Sequence, residues 1–152
     1  QFQVKNFPDE SPSGKFDLII CSEVLEHLEN DKKAVIKIYG LLKEGGITII
    51  STPSKNAPLY KLGLLKKFDN TVGHLRRYTL EELCALFRES GFLILSTNKT
   101  EGIVRNFLFT SPLAGKFIKF IKWWISDLVT FLDNLTITLF GESQIYLVVS
   151  KP

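Results

Sequence analysis

The 152-residue chain contains no methionine, two cysteines and two histidines, and its formal net charge is only +3. Cys21 and Cys84 lie in separate apolar segments without a partner at metal-ligand spacing, which is typical of reduced core thiols in a cytoplasmic protein. Because the excess of basic residues is small and scattered, charge gives no reason to expect nucleic-acid binding. No apolar run reaches about 20 residues, so neither a membrane span nor a signal peptide is predicted. The lack of methionine, with Gln1 at the start, indicates a piece of a longer protein.

Apolar runs predict the β-strands. The predicted strands are Phe16 to Cys21, Ile47 to Ile50, Phe92 to Ser96 and Ile145 to Val149, with a shorter one at Phe2 to Val4. The apolar residues of Phe16 to Cys21 do not alternate with polar ones, so this strand is expected to be central and covered on both faces.

Two segments with helical periodicity lie between these strands. They are Asp31 to Lys43 and Thr79 to Gly91, and the second begins with a capping-box spacing. Ser54 to Tyr78 is predicted to be a loop. The order strand, helix, strand, helix, strand predicts one α/β domain over residues 1–152, with a Rossmann-like, doubly wound, mostly parallel sheet that binds ligands at the carboxyl ends of its strands.

Acidic and imidazole side chains follow the first confident strand. Glu23, Glu26 and His27 are spaced at i, i+3 and i+4, so they share one face if Ser22 to Leu28 is helical. Carboxylate oxygens and a neutral imidazole suit a divalent cation such as Mg²⁺ or Zn²⁺. The alternative is a short solvated helix in which Glu26 and His27 only cap or pair locally.

Four stretches carry a resemblance to a known family. They read FDLIICSEVLEHLEN, LLKEGGITIISTP, GHLRRYTLEELCALFRESGF and IYLVVSKP. In this order they resemble the latter part of class I S-adenosylmethionine-dependent methyltransferases, over residues 1–99 and 143–152. In that family the positions of Cys21, Ser22 and Glu23 lie beside the methionine part of S-adenosylmethionine, which makes these residues candidates for cofactor binding.

The resemblance is to a domain that is incomplete at its N-terminus. The family's glycine-rich loop and its ribose-binding acidic residue have no counterpart in this sequence. The family places the strands that carry them beside the strand at Phe16, which would therefore present an unpaired apolar edge in this chain. The chain by itself is accordingly expected to be inactive, and the full-length protein to be the enzyme.

Residues for the acceptor side are also implied. Ser51 to Pro53 matches the family's loop that helps to shape the acceptor pocket, so Ser51 and Pro53 are candidates for substrate binding. Arg77 could bind a phosphate or carboxylate of the acceptor, since arginine binds such groups bidentately. A loop arginine more often pairs with a nearby surface acid, and this alternative remains open.

The ExxEH pattern with a later histidine is similar to metal-dependent members of the family. These are the ubiquinone-biosynthesis O-methyltransferases and the small-RNA 2′-O-methyltransferases, in which the metal lowers the pKa of the hydroxyl to be methylated. The similarity implies a Mg²⁺ or Zn²⁺ site at Glu23, Glu26, His27 and His74. His27 and His74 are also the candidate catalytic residues for removing the acceptor proton.

Residues 100–142 form a predicted helical insertion or lid before the last strand. Within it, Lys116 to Leu132 predicts a helix whose apolar face covers about half of its circumference. The face could bind a membrane surface peripherally, pack on the protein's own sheet or contact a second subunit. The prediction is a cytoplasmic S-adenosylmethionine-dependent methyltransferase for a small, hydrophobic or lipid- or glycan-linked acceptor. The alternative is a non-catalytic module that binds a partner or membrane through the insertion.

Overall fold

The computed structural model describes residues 3–110 and 126–152. Its strands are β1 Phe16–Ser22, β2 Leu42–Pro53, β3 Leu93–Thr100 and β4 Gln144–Ser150. Its helices are α1 Asp31–Leu41, α2 Pro58–Lys61, α3 Lys66–Val72, α4 Leu80–Glu89, α5 Ile103–Thr110 and α6 Ser126–Phe140.

The four strands form one sheet in the order β1-β2-β4-β3. β1 and β2 are parallel, whereas β4 is antiparallel to both β2 and β3. Three strands therefore run in the same direction, and the last strand of the chain is inserted between two of them. The apolar core lies between one face of the sheet and helices α1 and α4. This arrangement confirms the predicted Rossmann-like α/β fold. Three of its four strands run in one direction, and β4 is antiparallel to both of its neighbours.

Both predicted helix starts are confirmed by their caps. The Asn30 side chain accepts a hydrogen bond from the Lys33 amide at 2.8 Å, at the start of α1. At the start of α4, Thr79 and Glu82 form a complete capping box, with distances of 3.2 and 2.9 Å. α1 ends at Leu41 rather than at Lys43, because β2 begins at Leu42, which pairs with Phe16 across a bulge.

The expectation that β1 is a central strand covered on both faces is wrong. β1 lies at the edge of the sheet, and its Leu18 and Ile20 side chains are 51% and 67% exposed. The uninterrupted apolar run indicates only that both faces favour burial, and among the described residues only the α1 side is well covered. The predicted unpaired apolar edge is therefore present.

Two further expectations fail. Gln3 and Val4 have no regular structure, and Val4 is fully exposed, so the described part of the Phe2 to Val4 strand does not form. Phe2 itself lies outside the described residues. The predicted loop at 54–78 contains helices α2 and α3, which begin without a capping side chain and so lack the usual sequence signal for a helix start.

The insertion is helical where it is described. Asp133 of α6 is buried, and its carboxylate accepts hydrogen bonds from the backbone N–H groups of Gly102, Val104 and Arg105 at 2.8, 2.9 and 3.1 Å. It thereby caps the start of α5 from a neighbouring helix. Much of the predicted Lys116 to Leu132 helix falls in residues 111–125, outside the described part of the chain, and α6 continues past Leu132 to Phe140.

The outer side of α6 is apolar and exposed. At about 100° per residue, one stripe of the helix lies roughly opposite the buried Asp133. It consists of Leu128, Phe131, Leu132, Leu135 and Leu139. Among residues 3–110 and 126–152, no helix is long and apolar enough to cross a membrane.

Candidate functional site

The candidate site begins where β1 ends. Glu23, directly after β1, has a left-handed backbone with φ of 52°, and its N–H donates to the Ser51 carbonyl at 3.0 Å. A single 3₁₀ turn, Leu25–His27, follows. Because Leu25 is fully buried in the core, the turn is held against the protein and Glu26 is buried with it.

Three predicted ligand residues meet at this turn. One potential ligand atom from each of Glu26, His27 and His74 lies within 4.8 Å of the other two. The two imidazole rings are 4.9 Å apart between centroids, and His27 Nε2 lies 4.0 Å from Glu26 Oε1. The structure therefore joins a residue pair after β1 with a histidine that follows α3.

Both imidazoles are oriented through their Nδ1 atoms. His27 Nδ1 lies 3.0 Å from the Gly73 carbonyl oxygen, and His74 Nδ1 lies 3.0 Å from Asp69 Oδ1. Carbonyl and carboxylate oxygens only accept hydrogen bonds, so in the neutral rings the proton resides on Nδ1 in both cases. Each Nε2 atom is then left with a lone pair, which is the form that binds a metal ion.

Glu26 is the buried member of the group. The Thr52 hydroxyl donates to its Oε2 atom at 3.3 Å, whereas its Oε1 atom has no hydrogen-bond partner among the described residues. Burial, with a smaller contribution from the negative charge of Glu23, raises the pKa of the Glu26 carboxyl to about 7. A buried carboxylate oxygen without a donor is costly, so this position favours a proton or a cation.

The donor set fits a divalent cation. A carboxylate oxygen and two imidazole nitrogens with free lone pairs are typical ligands of Zn²⁺, and two imidazoles are less usual for Mg²⁺. The hydrogen bonds from both Nδ1 atoms to carboxylate or carbonyl acceptors are the usual supports of metal-binding histidines. Glu26, His27 and His74 could therefore hold such an ion.

Glu23 lies outside the three-residue group, and its role as a metal ligand stays a prediction. Its Oε1 atom accepts hydrogen bonds from the Ser51 hydroxyl at 2.9 Å and from the Gln144 amide, and Ser51 is in turn 2.8 Å from the Ser22 hydroxyl. The expectation of a shared helical face is wrong, because Glu23 has a left-handed backbone and precedes the 3₁₀ turn, although its carboxylate is close enough to raise the pKa of Glu26. Ser22, Glu23 and Ser51 instead form a polar network with Gln144 across the ends of β1, β2 and β4.

Two further predicted contact residues are buried. The Cys21 side chain lies in the core, and burial raises the pKa of its thiol to about 12. A cofactor beside β1 would therefore meet the backbone of Cys21 and not its thiol. Pro53 is also buried, at the end of β2. Cofactor binding by Cys21 and acceptor binding by Pro53 stay predictions.

Arg77 is buried and paired with Asp69, a residue that no sequence pattern indicates. The guanidinium donates from Nε to Asp69 Oδ2 at 3.0 Å and also to Oδ1 through a terminal nitrogen. It lies 5.0 Å above the ring of Tyr60. Pairing with an acid was the alternative for this arginine, and its binding to the acceptor stays a prediction. Asp69 could have been found only by predicting α3, which carries it towards His74.

A cavity opens beside the group. It has a volume of about 350 Å³, and its lining includes Tyr60, Lys66, Asn70, His74 and Arg77. The cavity is large enough for part of a small molecule, and His74 of the three-residue group is in its lining.

Solved structures with the same fold include several methyltransferases. An S-adenosylmethionine-dependent methyltransferase from Thermotoga maritima matches with a TM-score of 0.63 and 16% identity, over 98% of this chain and 63% of that chain. Phosphoethanolamine N-methyltransferase 2 of Haemonchus contortus, in complex with S-adenosyl-L-methionine, matches with a TM-score of 0.61 and 15% identity, over 90% of this chain and 33% of that chain. The cyclase SpnF matches with a TM-score of 0.58 and 19% identity, over 93% and 53%. At these identities the likeness shows the fold alone.

Curated relatives are similar over a shorter segment. The ubiquinone biosynthesis O-methyltransferase of Rickettsia felis is 38% identical over 50 residues, and that of Glaesserella parasuis is 46% identical over 48 residues. These segments cover 33% and 32% of this chain, and 20% of each relative.

The family assignment rests on a longer match. The sequence pattern of the methyltransferase domain matches residues 1–97, which is more than half of the chain. This range contains β1, β2 and all three residues of the Glu26, His27 and His74 group. The chain belongs to the methyltransferase domain family.

Proposed function

We propose that this chain is part of an S-adenosylmethionine-dependent O-methyltransferase that holds a divalent cation at Glu26, His27 and His74. The observation that carries the proposal is the Glu26 Oε1 atom, which is buried and has no donor among the described residues. It lies 4.0 Å from His27 Nε2, in a group whose two histidines use their Nδ1 atoms for other hydrogen bonds. A bound cation would accept a lone pair from Glu26 Oε1 and from the Nε2 atom of each histidine.

Methyl transfer is supported by the family and by the names of its relatives. Both curated relatives are O-methyltransferases by name, which favours a hydroxyl as the acceptor group. A small acceptor that is hydrophobic or linked to a lipid or glycan is consistent with the relatives' connection to ubiquinone and with the exposed apolar insertion. Because the matched segments cover only 20% of each relative, the acceptor and the activity of the whole protein belong to the proposal.

The chain's own residues would bind and orient the reacting groups. S-adenosylmethionine would supply the methyl group, and a divalent cation, when bound, would lower the pKa of the acceptor hydroxyl. Thr52 fixes the Glu26 carboxylate, and the acceptors at Gly73 and Asp69 keep both Nε2 lone pairs directed at the cation site. With these lone pairs on a cation, neither histidine is free as a general base, so we assign both a ligand role.

The polar network at the strand ends is the proposed contact region for the cofactor. Ser22, Glu23 and Ser51 are linked by hydrogen bonds of 2.8 and 2.9 Å at the edge where parallel strands β1 and β2 end. Ligands of open α/β sheets bind at this edge. We propose that Glu23 faces the methionine part of S-adenosylmethionine and that Ser51 lies between the cofactor and the acceptor.

We also propose that the insertion binds an anionic membrane surface peripherally. The apolar stripe of α6 is exposed on the side away from the buried Asp133. In the sequence, Lys116, Lys119 and Lys122 precede this helix, and basic residues near an apolar segment are typical of peripheral binding to anionic membranes. A non-catalytic module would use the same surface, but it would not require a buried Glu26 oxygen without a donor among the described residues.

One assay separates these functions. The purified full-length protein is incubated with labelled S-adenosylmethionine and a panel of acceptors that carry vicinal hydroxyls, with and without a chelator. Methylation that a chelator abolishes and added Zn²⁺ or Mg²⁺ restores is the expected result. Undiminished methylation in chelator would refute the cation site, and no methylation of any acceptor would favour the module.

A further inference from the structure

We infer that the last turn of α3 is a template that sets both candidate histidines, and that Asp69 is a positioning residue which keeps the Nε2 lone pair of His74 free. The inference rests on the proposed function for its consequence in metal binding. The side chain of Asp69 is buried and accepts from His74 Nδ1 at 3.0 Å. Its backbone carbonyl also accepts from the His74 N–H, at 2.9 Å.

The same turn orients the other ring. Gly73 ends α3 in a left-handed conformation with φ of 82°, and its N–H also donates to the Asp69 carbonyl. Its own carbonyl oxygen is 3.0 Å from His27 Nδ1. One helix end therefore offers an acceptor to each imidazole: a side-chain carboxylate for His74 and a backbone carbonyl for His27.

A carboxylate is required at position 69 because every neighbour of its oxygens is a donor. Oδ1 accepts from His74 Nδ1 and from a terminal nitrogen of Arg77, and Oδ2 accepts from Arg77 Nε at 3.0 Å. An asparagine has only one oxygen. In one orientation its NH₂ group would oppose the Arg77 Nε–H, donor to donor. In the other it would oppose a terminal N–H of Arg77 and would also face His74 Nδ1, where it stabilises the ring with its proton on Nε2.

Arg77 holds the Asp69 carboxylate in place. Its planar guanidinium contacts both carboxylate oxygens and is itself packed over Tyr60, so it fixes the rotation of the Asp69 side chain. Arg77 is not in the Glu26, His27 and His74 group, and it acts on His74 only through Asp69. The Asp69 side chain thus sets the tautomer of His74, which decides whether Nε2 is a ligand or a donor.

The test measures the tautomer directly. Long-range ¹H–¹⁵N correlation spectra of the full-length protein are recorded without metal at about pH 8.5, above the ordinary histidine pKa of about 6.5. We expect His74 of the wild type to carry its proton on Nδ1. In Asp69→Asn the population protonated on Nε2 should rise, and affinity for Zn²⁺ alone, measured by calorimetry, should fall about 10- to 100-fold.

The matched control is Asp31→Asn. Asp31 also pairs with an arginine, Arg76, at 2.8 Å, and accepts from the Tyr78 hydroxyl at 2.7 Å, but it contacts neither histidine. It should leave the His74 tautomer unchanged.

A wild-type His74 with its proton on Nε2, or an Asp69→Asn protein with the wild-type tautomer, would overturn the inference. Because the tautomer is read without metal, failure of Zn²⁺ to bind the wild type would refute the proposed function and leave this result interpretable. If Asp69→Asn does not fold, the inference is tested with the wild type and with Arg77→Lys. In Arg77→Lys we expect a mixture of the two His74 tautomers.

Discussion

The imidazole rings of His27 and His74 lie 4.9 Å apart, and each is held through Nδ1 by an acceptor from the last turn of α3. This relationship leaves the Nε2 atoms of both rings in the form that binds a cation. Beside them, Glu26 has a buried oxygen without a donor among the described residues. We therefore expect changes to any of the three residues to affect the same property, the binding of a cation.

The first prediction concerns His27. His27→Ala removes one of the three candidate ligands, so we expect Zn²⁺ affinity to fall at least about tenfold and methylation to fall with it. Calorimetry with Zn²⁺ and the methylation assay measure the two effects. Glu29→Ala, an exposed change close to the same turn, is the control and should be neutral. Near-normal metal affinity and activity in His27→Ala would return these residues to the solvated-turn interpretation.

The second prediction is a pH dependence of stability in the metal-free protein. The pKa of Glu26 is raised from its ordinary value of 4.5 to about 7, so the folded state holds this proton more tightly than the unfolded state does. The contribution is fully present below about pH 4.5 and is lost as the pH rises through about 7. Urea unfolding at pH 5 and pH 8, in chelator, measures the loss.

Glu26→Gln should remove that part of the pH dependence, because the amide does not titrate. Glu29→Gln, whose site is exposed, should retain it. The quantity compared is the change in the free energy of unfolding from pH 5 to pH 8 in each protein, and not its absolute value. Equal losses from pH 5 to pH 8 in the wild type and in Glu26→Gln would contradict the prediction.

A third prediction tests the cap that joins the two described helices of the insertion. Asp133→Ala leaves the N–H groups of Gly102, Val104 and Arg105 without their acceptor. We expect the free energy of unfolding to fall by about 2 to 4 kcal/mol, since bonds to a buried charge are stronger than neutral ones. Asn134→Ala, at the adjacent exposed position, should change it little. A similar midpoint in urea for both variants would show that the cap contributes nothing.

The fourth prediction concerns the apolar stripe of α6. If it binds an anionic membrane surface, Leu135→Asp should reduce flotation with anionic liposomes several-fold, because it puts a charge into the buried side of an interfacial helix. Asn134→Asp adds the same charge at a neighbouring position off the stripe and should have a small effect. The sequence's Lys116, Lys119 and Lys122 should make binding weaker as salt rises, by about 1 kcal/mol per lysine at most. A dimer that does not associate with liposomes would instead identify the stripe as a subunit contact.

The sequence by itself was sufficient for the local elements. Apolar runs and helical periodicity identified β1, β2, β3, β4, α1 and α4, because both signals depend on residues that are neighbours along the chain. The capping box at Thr79 and Glu82 is local in the same way. Local signals did not identify α2 and α3, because these helices begin without a capping side chain. They also did not predict the position of β1 at the edge of the sheet, because the residues of a strand do not determine which strands lie beside it.

The site was determined partly by sequence and partly by tertiary structure. Glu26, His27 and His74 were identified from the sequence as ligand candidates, because carboxylates and imidazoles can bind a metal ion at any position in a fold. Whether these three residues lie close together depends on where α3 ends, because the end of this helix brings His74 and the Gly73 carbonyl against the turn after β1. The contacts of Glu23 depend on its own left-handed backbone, and its side chain accepts hydrogen bonds from Ser51 and Gln144. Spacing along the chain carries no information on such a backbone reversal or on which donors surround a buried oxygen, so only the folded structure decides them.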